Sequence, residues 1–210
     1  MLNRPAGLAE VWPEAPVAGL QVLLGAVIGD GHLIPPRGLS PLSSLRLEHA
    51  AAQADYLDWK LRLLPVPMRR YVVRRGTAVA QSPARADLAW LRTRCYSRHG
   101  RVLPVELAHE LGPLGLLVWY LDDGATLPGG PRGHEMRLSV PRYDLGNTRE
   151  FLETACAAAY LPAPRRYFPG RGEARWGTAD SREIALRWRA LDRVLRLPDL
   201  LFEKVGVLLG

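Results

Sequence analysis

The sequence predicts an α+β protein built from two pseudo-symmetric halves, each with the element order helix, two strands, helix, two strands, helix. Two strongly apolar segments, residues 20–31 and 114–124, both end in Asp-Gly and mark the start of each half. Their final glycines lie 93 residues apart, and 86 residues follow the second one. Because similar strand-like and helix-like patterns follow both segments, this spacing indicates an internal duplication.

The composition is that of a folded, strongly basic protein. Apolar residues make up 48% and charged residues 23% of the 210 residues, which is typical of a globular chain. The net charge of +7 and the pI of about 9.9 favour a polyanionic partner. Of the 28 basic residues only Lys60 and Lys204 are lysines. The planar guanidinium group of arginine can bind phosphates and guanine edges through two hydrogen bonds, which would explain the excess of arginine over lysine. A GC-rich gene produces the same excess, so both explanations stay open.

The cysteines and the apolar runs exclude several classes of protein. Cys95 and Cys156 have no metal-ligand spacing and do not form a disulfide framework. The apolar run over residues 17–28 is too short to span a bilayer, and the acidic Glu10 and Glu14 argue against a signal peptide. We therefore expect a cytoplasmic protein of bacterial type, or an organellar one, that is neither secreted nor bound to a membrane.

The first half begins after a segment rich in proline and alanine, which we interpret as an extension. The helix over residues 20–31 is apolar on nearly every face and is expected to be buried, with Gly31 as a left-handed cap. The following elements are predicted in order: strands over 32–34 and 44–49, a helix over 53–64, a strand pair over 69–75 and 86–95, and a short helix over 104–111. The helix over 53–64 is amphipathic, with an apolar spacing that includes Lys60.

The second half repeats this plan. Its first helix over residues 114–124 is again buried, with Gly124 in the position of the cap. The remaining elements are predicted in order: a strand over 135–142, a helix over 148–160, a strand pair over 165–168 and 174–178, and a helix over 182–195. The tryptophans at 59, 90, 119, 176 and 188 fall within these elements and are assigned to the core.

Both Asp-Gly motifs resemble the signature of the LAGLIDADG homing endonucleases, in particular the single-chain members encoded by introns and inteins. Residues 23–31 (LLGAVIGDG) align with the nine-residue signature, and residues 116–124 (LLVWYLDDG) with its second copy. Further similarities are YLDWK at residues 56–60, VLP at 102–104 and LPDLLFEK at 197–204, so the resemblance covers about residues 18–206. The second motif has Val118 and Asp122 where the signature has Gly and Ala. Close helix packing is therefore expected to depend on Gly25, Ala26 and Gly29.

The resemblance implies a fold in which the two motif helices pack together at the centre and two antiparallel sheets form a DNA-binding saddle. We expect an N-terminal extension over residues 1–17, a first half-domain over 18–112 and a second half-domain over 113–210. The implied activity is that of a site-specific homing endonuclease that hydrolyses both strands of a long double-stranded DNA target. A monomer is expected because one chain carries both halves.

Asp30 and Asp123 are the candidate catalytic and metal-binding residues. A carboxylate at a helix C-terminus is unfavourable, because the terminal carbonyls already carry partial negative charge. Pairing the helices would bring both carboxylates together with carbonyl oxygens such as those of Gly29 and Asp122. Such oxygen ligands suit Mg²⁺, with Mn²⁺ as an alternative, whereas Ca²⁺ is expected to bind without efficient cleavage. Asp-Gly is ordinary turn chemistry in one motif, but its occurrence in both favours a metal site.

Two basic residues complete the predicted active sites. The resemblance places a lysine-like residue near each metal site, where it orders water or stabilises charge, and Arg101 and Lys204 occupy these places. Lys204 is preferred because lysine is rare in the chain. For Arg101, contact with a backbone phosphate is an equal alternative.

Base recognition is predicted on the strands. Around residues 44–48 and 135–140 charged or polar side chains alternate with apolar ones, so one face of each strand is polar. Two such sheets would fit along the major groove, although a solvated face gives the same pattern. The candidate DNA-contacting residues are Arg46, Glu48, Arg74, Arg92, Arg94, Arg137, Ser139, Arg166 and Arg175.

Two alternative functions use the same fold. One is an RNA maturase, whose partner is an intron RNA, and the other is a cleavage-dead DNA-binding regulator. Because Asp30 and Asp123 are both present, a cleavage-dead protein is less well supported. A basic structural protein bound to ribosomal RNA would leave the duplicated Asp-Gly helix ends unexplained.

Overall fold

The computed structural model describes residues 7–36, 40–74, 76–129, 133–141 and 145–209, excluding the side chains of residues 71–74, 145, 169, 201 and 202. The α-helices are α1 (Leu8–Val11), α2 (Val17–Ile28), α3 (Ala54–Leu63), α4 (Ala86–Cys95), α5 (Gly112–Asp123), α6 (Leu145–Ala158), α7 (Thr178–Leu195) and α8 (Asp199–Leu209). The strands are β1 (His32–Ile34), β2 (Ser44–Ala50), β3 (Arg69–Arg74), β4 (Thr77–Gln81), β5 (Tyr96–Ser97), β6 (Gly100–Arg101), β7 (Gly124–Pro128), β8 (His134–Ser139), β9 (Arg166–Phe168) and β10 (Glu173–Trp176). Short 3-10 helices cover Ala51–Gln53, Val105–Glu110 and Pro169–Arg171.

The two halves have the same sheet topology, which confirms the predicted α+β fold. The first sheet has the order β1-β2-β4-β3 and the second the order β7-β8-β10-β9, and all their pairings are antiparallel. Each sheet follows its motif helix, and α3 or α6 separates its two strand pairs. The alternation predicted for β2 and β8 is confirmed, since Leu45, Leu47, Met136 and Leu138 are buried.

The prediction of a strand over residues 86–95 is wrong, because this segment forms helix α4. Its buried residues Leu88, Leu91 and Cys95 follow helical spacing, and Asp87 lies in the first turn, where an acidic side chain favours a helix. The strand that pairs with β3 is instead β4. Arg92 and Arg94 therefore lie on a helix and not on the first sheet.

The motif helices α2 and α5 pack at the centre of the molecule through glycine. A Cβ atom on Gly25 would lie 2.4 Å from the carbonyl oxygen of Gly115, and one on Gly115 would lie 2.8 Å from that of Gln21. Gly25 and Gly29 were expected at this interface, whereas Gly115, which precedes the second motif, was not. The larger Val118 is fully buried without separating the helices.

The glycines that end the motifs do not act as left-handed caps, contrary to expectation. Gly124 has φ −89° and ψ 160°, and Gly31 is not among the residues with positive φ. Both are required for close approach instead. A Cβ atom on Gly31 would lie 2.5 Å from the carbonyl oxygen of Ala26, and one on Gly124 would lie 2.1 Å from the Tyr120 ring.

The segment before α2 contributes to the core. Leu8 and Trp12 are buried, and the amide of Leu8 donates to the Glu110 carboxylate at 2.9 Å. Of the tryptophans assigned to the core, Trp59, Trp119, Trp176 and Trp188 are buried, while Trp90 is half-buried. Within the described residues, no helix has the length and apolar character that crossing a bilayer requires.

Candidate active site

Asp30 and Asp123 meet where the C-terminal ends of α2 and α5 come together. Their carboxyl groups are close enough to hydrogen-bond to each other. Burial, reinforced by the negative charges of Asp122 and Asp123, raises the pKa of Asp30 to about 7. Burial also raises the pKa of Asp123, while the Arg101 guanidinium opposes that rise. Two partly buried carboxyl groups side by side are therefore costly to ionise together, and a bound cation would offset that cost.

Arg101 lies at the end of α2, on strand β6 of a short hairpin with β5. Its guanidinium donates to the carbonyl oxygen of Ile28 at 3.0 Å, to that of Gly31 at 2.8 Å, and to that of Gly29. A cation is favourable here because these carbonyls form the negative end of the helix dipole. Gly29, predicted as a metal ligand through its carbonyl, thus already accepts a hydrogen bond.

Lys204 takes the corresponding place at the end of α5. Its Nζ donates to the carbonyl oxygen of Leu121 at 2.6 Å and to that of Gly124 at 3.4 Å. Leu121 and Gly124 align with Ile28 and Gly31, the acceptors of Arg101, at the 93-residue offset of the motifs. Burial lowers the pKa of Lys204, and the three nearby aspartates oppose this. The two basic residues predicted from sequence therefore have equivalent positions at the two helix ends.

Asp122 belongs to a buried triad with Lys60 and Tyr56, which was not predicted from the sequence. The side chains of Asp122 and Lys60 are both fully buried, and Lys60 Nζ lies 2.9 Å from Oδ1 and 3.1 Å from Oδ2. The Tyr56 hydroxyl donates to Oδ1 at 2.8 Å. These contacts occupy the Asp122 side chain, so only its carbonyl remains as the predicted metal ligand. A lysine on the apolar side of an amphipathic helix, in a chain with two lysines, was the signal for the triad.

His49 is a further residue beside the cluster. Its Nδ1 lies 4.0 Å from Oδ2 of Asp30, and one ligand atom each from Asp30, His49 and Asp122 lie within 4.8 Å of one another. Burial lowers the pKa of His49 to about 4, so the ring is neutral. Because Lys60 and Tyr56 already bind Asp122, we favour Asp30 and Asp123 over this trio as the carboxylates of a cation site.

Three predicted DNA-contacting arginines form one row across the second sheet. Arg175 is opposite Arg137 on β8 and opposite Arg166 on β9. Each arginine has an acidic neighbour: Glu173 lies 3.2 Å from Arg137 and 2.6 Å from Arg175, and Glu135 lies 2.7 Å from Arg166. Hydrogen bonds from Arg175 lower the pKa of Glu173. The acidic residues hold the guanidinium groups in place on the sheet.

The first sheet has a different row at the equivalent positions. Arg46 lies between His32 on β1 and Gln81 on β4, and Gln81 is opposite Arg69 on β3. Arg46 and Glu48 form an exposed ion pair at 2.8 Å. The side chain of Arg74 lies outside the described residues.

The two arginines of α4 contact the protein itself. Arg92 donates to the carbonyl oxygen of Leu33 at 3.1 Å and lies over the Tyr96 ring. Arg94 stacks on Trp90 with its guanidinium 3.9 Å from the ring centre. The structure thus brings Arg46, Arg137, Arg166 and Arg175 onto sheet strands, whereas Arg92 and Arg94 lie on α4, with Arg92 against the edge strand β1.

A cleft of about 320 Å³ opens beside the carboxylate cluster. Ile28, His99, Arg101, Asp123 and Ser139 are among its lining residues. Ser139, predicted to contact DNA, is exposed at the end of β8. The cleft therefore connects the polar face of the second sheet to Asp123.

Comparison with known proteins agrees with this architecture. The model of the LAGLIDADG DNA endonuclease family matches residues 20–154. Over 108 residues, half of the chain, the sequence is 40% identical to Protein RecA of Mycobacterium gastri, and over 107 residues it is 37% identical to Protein RecA of Mycolicibacterium flavescens. These matches span only 26% and 25% of the RecA proteins.

Two solved structures share the fold at low sequence identity. The homing endonuclease I-WcaI bound to its DNA recognition sequence aligns with 94% of this chain and 91% of its own, with a TM-score of 0.68 and 12% identity. The LAGLIDADG meganuclease I-AabMI bound to uncleaved DNA aligns with 81% and 83%, with a TM-score of 0.50 and 8% identity. The overall fold of this chain is thus that of these two structures.

Proposed function

The chain belongs to the LAGLIDADG DNA endonuclease family, and we propose that it hydrolyses both strands of a long duplex DNA site with divalent metal ions. The observation that carries this proposal is the carboxylate cluster at the paired helix ends. Asp30 and Asp123 are brought together from equivalent positions of the two motifs, and the pKa of both is raised. A duplicated site of this kind offers one carboxylate to each scissile phosphate.

The donor set fits a hard cation. Carboxylate and carbonyl oxygens are the ligands that Mg²⁺ and Mn²⁺ accept, and a raised carboxylate pKa reports an environment that favours added positive charge. Asp30 and Asp123 would hold the ions, with the carbonyls of Gly29 and Asp122 as neighbouring oxygens. A bound ion there activates water and stabilises the charge that develops on the phosphate.

The protein residues supply position and charge around that site. Arg101 and Lys204 bind the carbonyls that end α2 and α5, which leaves part of each cationic group available beside a phosphate. The sheet arginines supply contacts to the backbone and to base edges. Because arginine binds guanine or phosphate bidentately, the row of Arg137, Arg175 and Arg166 would exchange its glutamate partners for DNA.

The proposal is tested in two stages, because binding and cutting have different requirements. Duplexes that bind the protein are first selected from a random library in Ca²⁺, which is expected to permit binding without efficient cleavage. The selected sequence is then cloned into a plasmid and incubated with the protein in Mg²⁺, in Mn²⁺, or in a chelator. We expect linear DNA with either metal and intact plasmid with the chelator.

A matched pair of variants assigns the activity to the cluster. The double variant Asp30→Asn/Asp123→Asn should bind the selected duplex and leave it uncut, whereas Asp55→Asn, an exposed residue on α3, should cut like the wild type. Cutting that continues in the chelator, or in the double variant, would refute the proposed site. Tight binding without cutting in either metal would instead identify a regulator or a maturase.

A further inference from the structure

The two motif helices end differently, so their aspartates are held in different ways. Helix α5 remains helical through Asp123, its last residue. Helix α2 ends at Ile28, Gly29 leaves the helix with φ −84° and ψ −131°, and Asp30 lies in the turn that follows. Asp123 is therefore fixed by its own helix. Arg101 binds the carbonyls on both sides of Asp30, but the carbonyl of Ala26 accepts from Gly31, so the Asp30 amide needs another acceptor.

Asp122 supplies that acceptor from the other half of the chain. The backbone amide of Asp30 donates to Oδ2 of Asp122 at 3.4 Å, at the long end of the hydrogen-bonding range. In the first motif the position equivalent to Asp122 is Gly29. The absence of a side chain at Gly29 makes room for the carboxylate, because a Cβ atom there would lie 2.7 Å from Oδ2. The contact has no counterpart at the other site.

The buried triad orients this carboxylate. Lys60 binds both carboxylate oxygens and Tyr56 binds Oδ1, and both residues come from α3 of the first half. A fully buried ion pair is weak evidence for stabilisation, because the desolvation of two charges offsets most of their attraction. An apolar pair of similar size would hold the halves together equally well. The arrangement is therefore better explained by what the carboxylate does for Asp30.

We propose that Asp122, oriented by Lys60 and Tyr56, is a positioning residue that fixes Asp30 in its turn and thereby preorganises one of the two cleavage sites from the opposite half of the chain. The consequence for cleavage rests on the proposed function. The strand that depends on Asp30 should be cut slowly when the acceptor is removed, while the strand that depends on Asp123 should be cut normally. Nicked plasmid would then accumulate before linear DNA.

Two double variants separate positioning from stability. Lys60→Met/Asp122→Asn and Lys60→Met/Asp122→Leu both lack the buried charge pair, but only the asparagine variant keeps an oxygen that accepts the Asp30 amide. The first readout is hydrogen exchange of the Asp30 amide, followed by NMR on ¹⁵N-labelled protein without DNA or metal. We expect protection in the wild type and the asparagine variant, and exchange roughly two- to tenfold faster in the leucine variant, as loss of one hydrogen bond predicts.

The second readout is strand-specific cutting of the selected duplex with both strands labelled. The asparagine variant should keep the wild-type ratio of the two cutting rates, and the leucine variant should shift it against one strand by a similar factor. If leucine prevents folding, Asp122→Ala in the same Lys60→Met background also removes the acceptor. Equal exchange at Asp30 and equal strand ratios in the two variants would overturn the proposal. Failure of the wild type to cut any DNA would refute the nuclease function, while the exchange data would still decide the role of Asp122.

Discussion

Replacing Asp30 by asparagine is expected to stabilise the metal-free protein and to abolish double-strand cleavage. The pKa of Asp30 is raised from 3.8 to about 7 in the folded protein, first by burial and then by Asp122 and Asp123. Above that pKa the folded state contains an ionised carboxylate that the unfolded state accommodates more easily. Asparagine has nearly the same shape and removes the charge, so the folded state should gain free energy relative to the unfolded state.

The magnitude follows from the pKa and from the exposure of the carboxylate. A rise of about three units corresponds to about 4 kcal/mol at 1.36 kcal/mol per unit. The Asp30 side chain is 40% exposed, however, so solvent screening reduces the expected gain to about 1–2 kcal/mol. For a protein of this size that gain raises Tm by roughly 3–6 °C. The asparagine variant should be more stable than the wild type by this amount at about pH 8, where Asp30 is ionised.

The pH dependence of stability tests whether the Asp30 carboxylate destabilises the folded state. A carboxyl with a raised folded-state pKa binds a proton on folding, so the wild type should gain stability as the pH falls from about 8 towards 6.5, and the variant should gain less. His49 acts in the opposite direction at lower pH, because its folded-state pKa of about 4 lies below the 6.5 of an unperturbed histidine. The Tm values of the wild type and of Asp30→Asn are therefore compared above pH 6.5, by thermal unfolding in the presence of a chelator.

Mg²⁺ should reverse the order of stability, since it stabilises the wild type by binding and has little effect on the variant. The control is Asp55→Asn, whose side chain is exposed on α3 and whose Tm should change by no more than a surface substitution does. A Tm for Asp30→Asn at or below that of the wild type at about pH 8 would show that the carboxylates are not in conflict and would refute the reasoning.

Three further outcomes are expected. DNA affinity in Ca²⁺ buffer should fall by about 10³-fold between ~50 and ~200 mM salt if six or more phosphates are contacted, and a flat dependence would exclude the sheet arginines as the DNA-binding surface. Gly25→Ala should destabilise the protein by about 1–3 kcal/mol in thermal unfolding because its Cβ atom would meet the Gly115 carbonyl at 2.4 Å, whereas Gly146→Ala, with open space around it, should not. Sedimentation should give a monomer of 23.3 kDa, and an obligate dimer would contradict the internal duplication.

Much of the fold could be predicted because the duplication places similar sequence patterns in both halves, so each pattern supports the interpretation of the other. Strand β7 and helix α8 were not assigned from the sequence, and two other elements escaped prediction because local chemistry disguises their patterns. In β4 the buried residues are Ala78 and Ala80, which are too small to produce a strong apolar alternation. In α4 the order Leu91-Arg92-Thr93-Arg94-Cys95 alternates like a strand, and only Leu88 reveals the helical spacing of the buried side.

The positions of the candidate site residues at the helix ends were predictable, whereas the buried contacts behind them were not. Asp30, Asp123, Arg101 and Lys204 all lie at the helix ends, as a motif-based prediction requires. The contact between Lys60 and Asp122 joins residues 62 positions apart on different halves. A repeat analysis compares equivalent positions, and this pair is not equivalent to anything in the other half. Sequence symmetry therefore predicts what the two sites share and misses what distinguishes them.

The asymmetry of the Lys60–Asp122 contact has a consequence for recombining the halves. Two copies of the first half would place Gly29 opposite Lys60 and leave a buried ammonium group without a counter-ion. Breaking a buried ion pair in this way costs about 3–5 kcal/mol of folding free energy. Two copies of the second half would bring two Asp122 carboxylates to the interface without Lys60. A chimera that keeps the lysine at position 60 is thus expected to fold well only when the other half carries an acid at position 122. Compatibility between halves can be screened by these two residues before any gene is made.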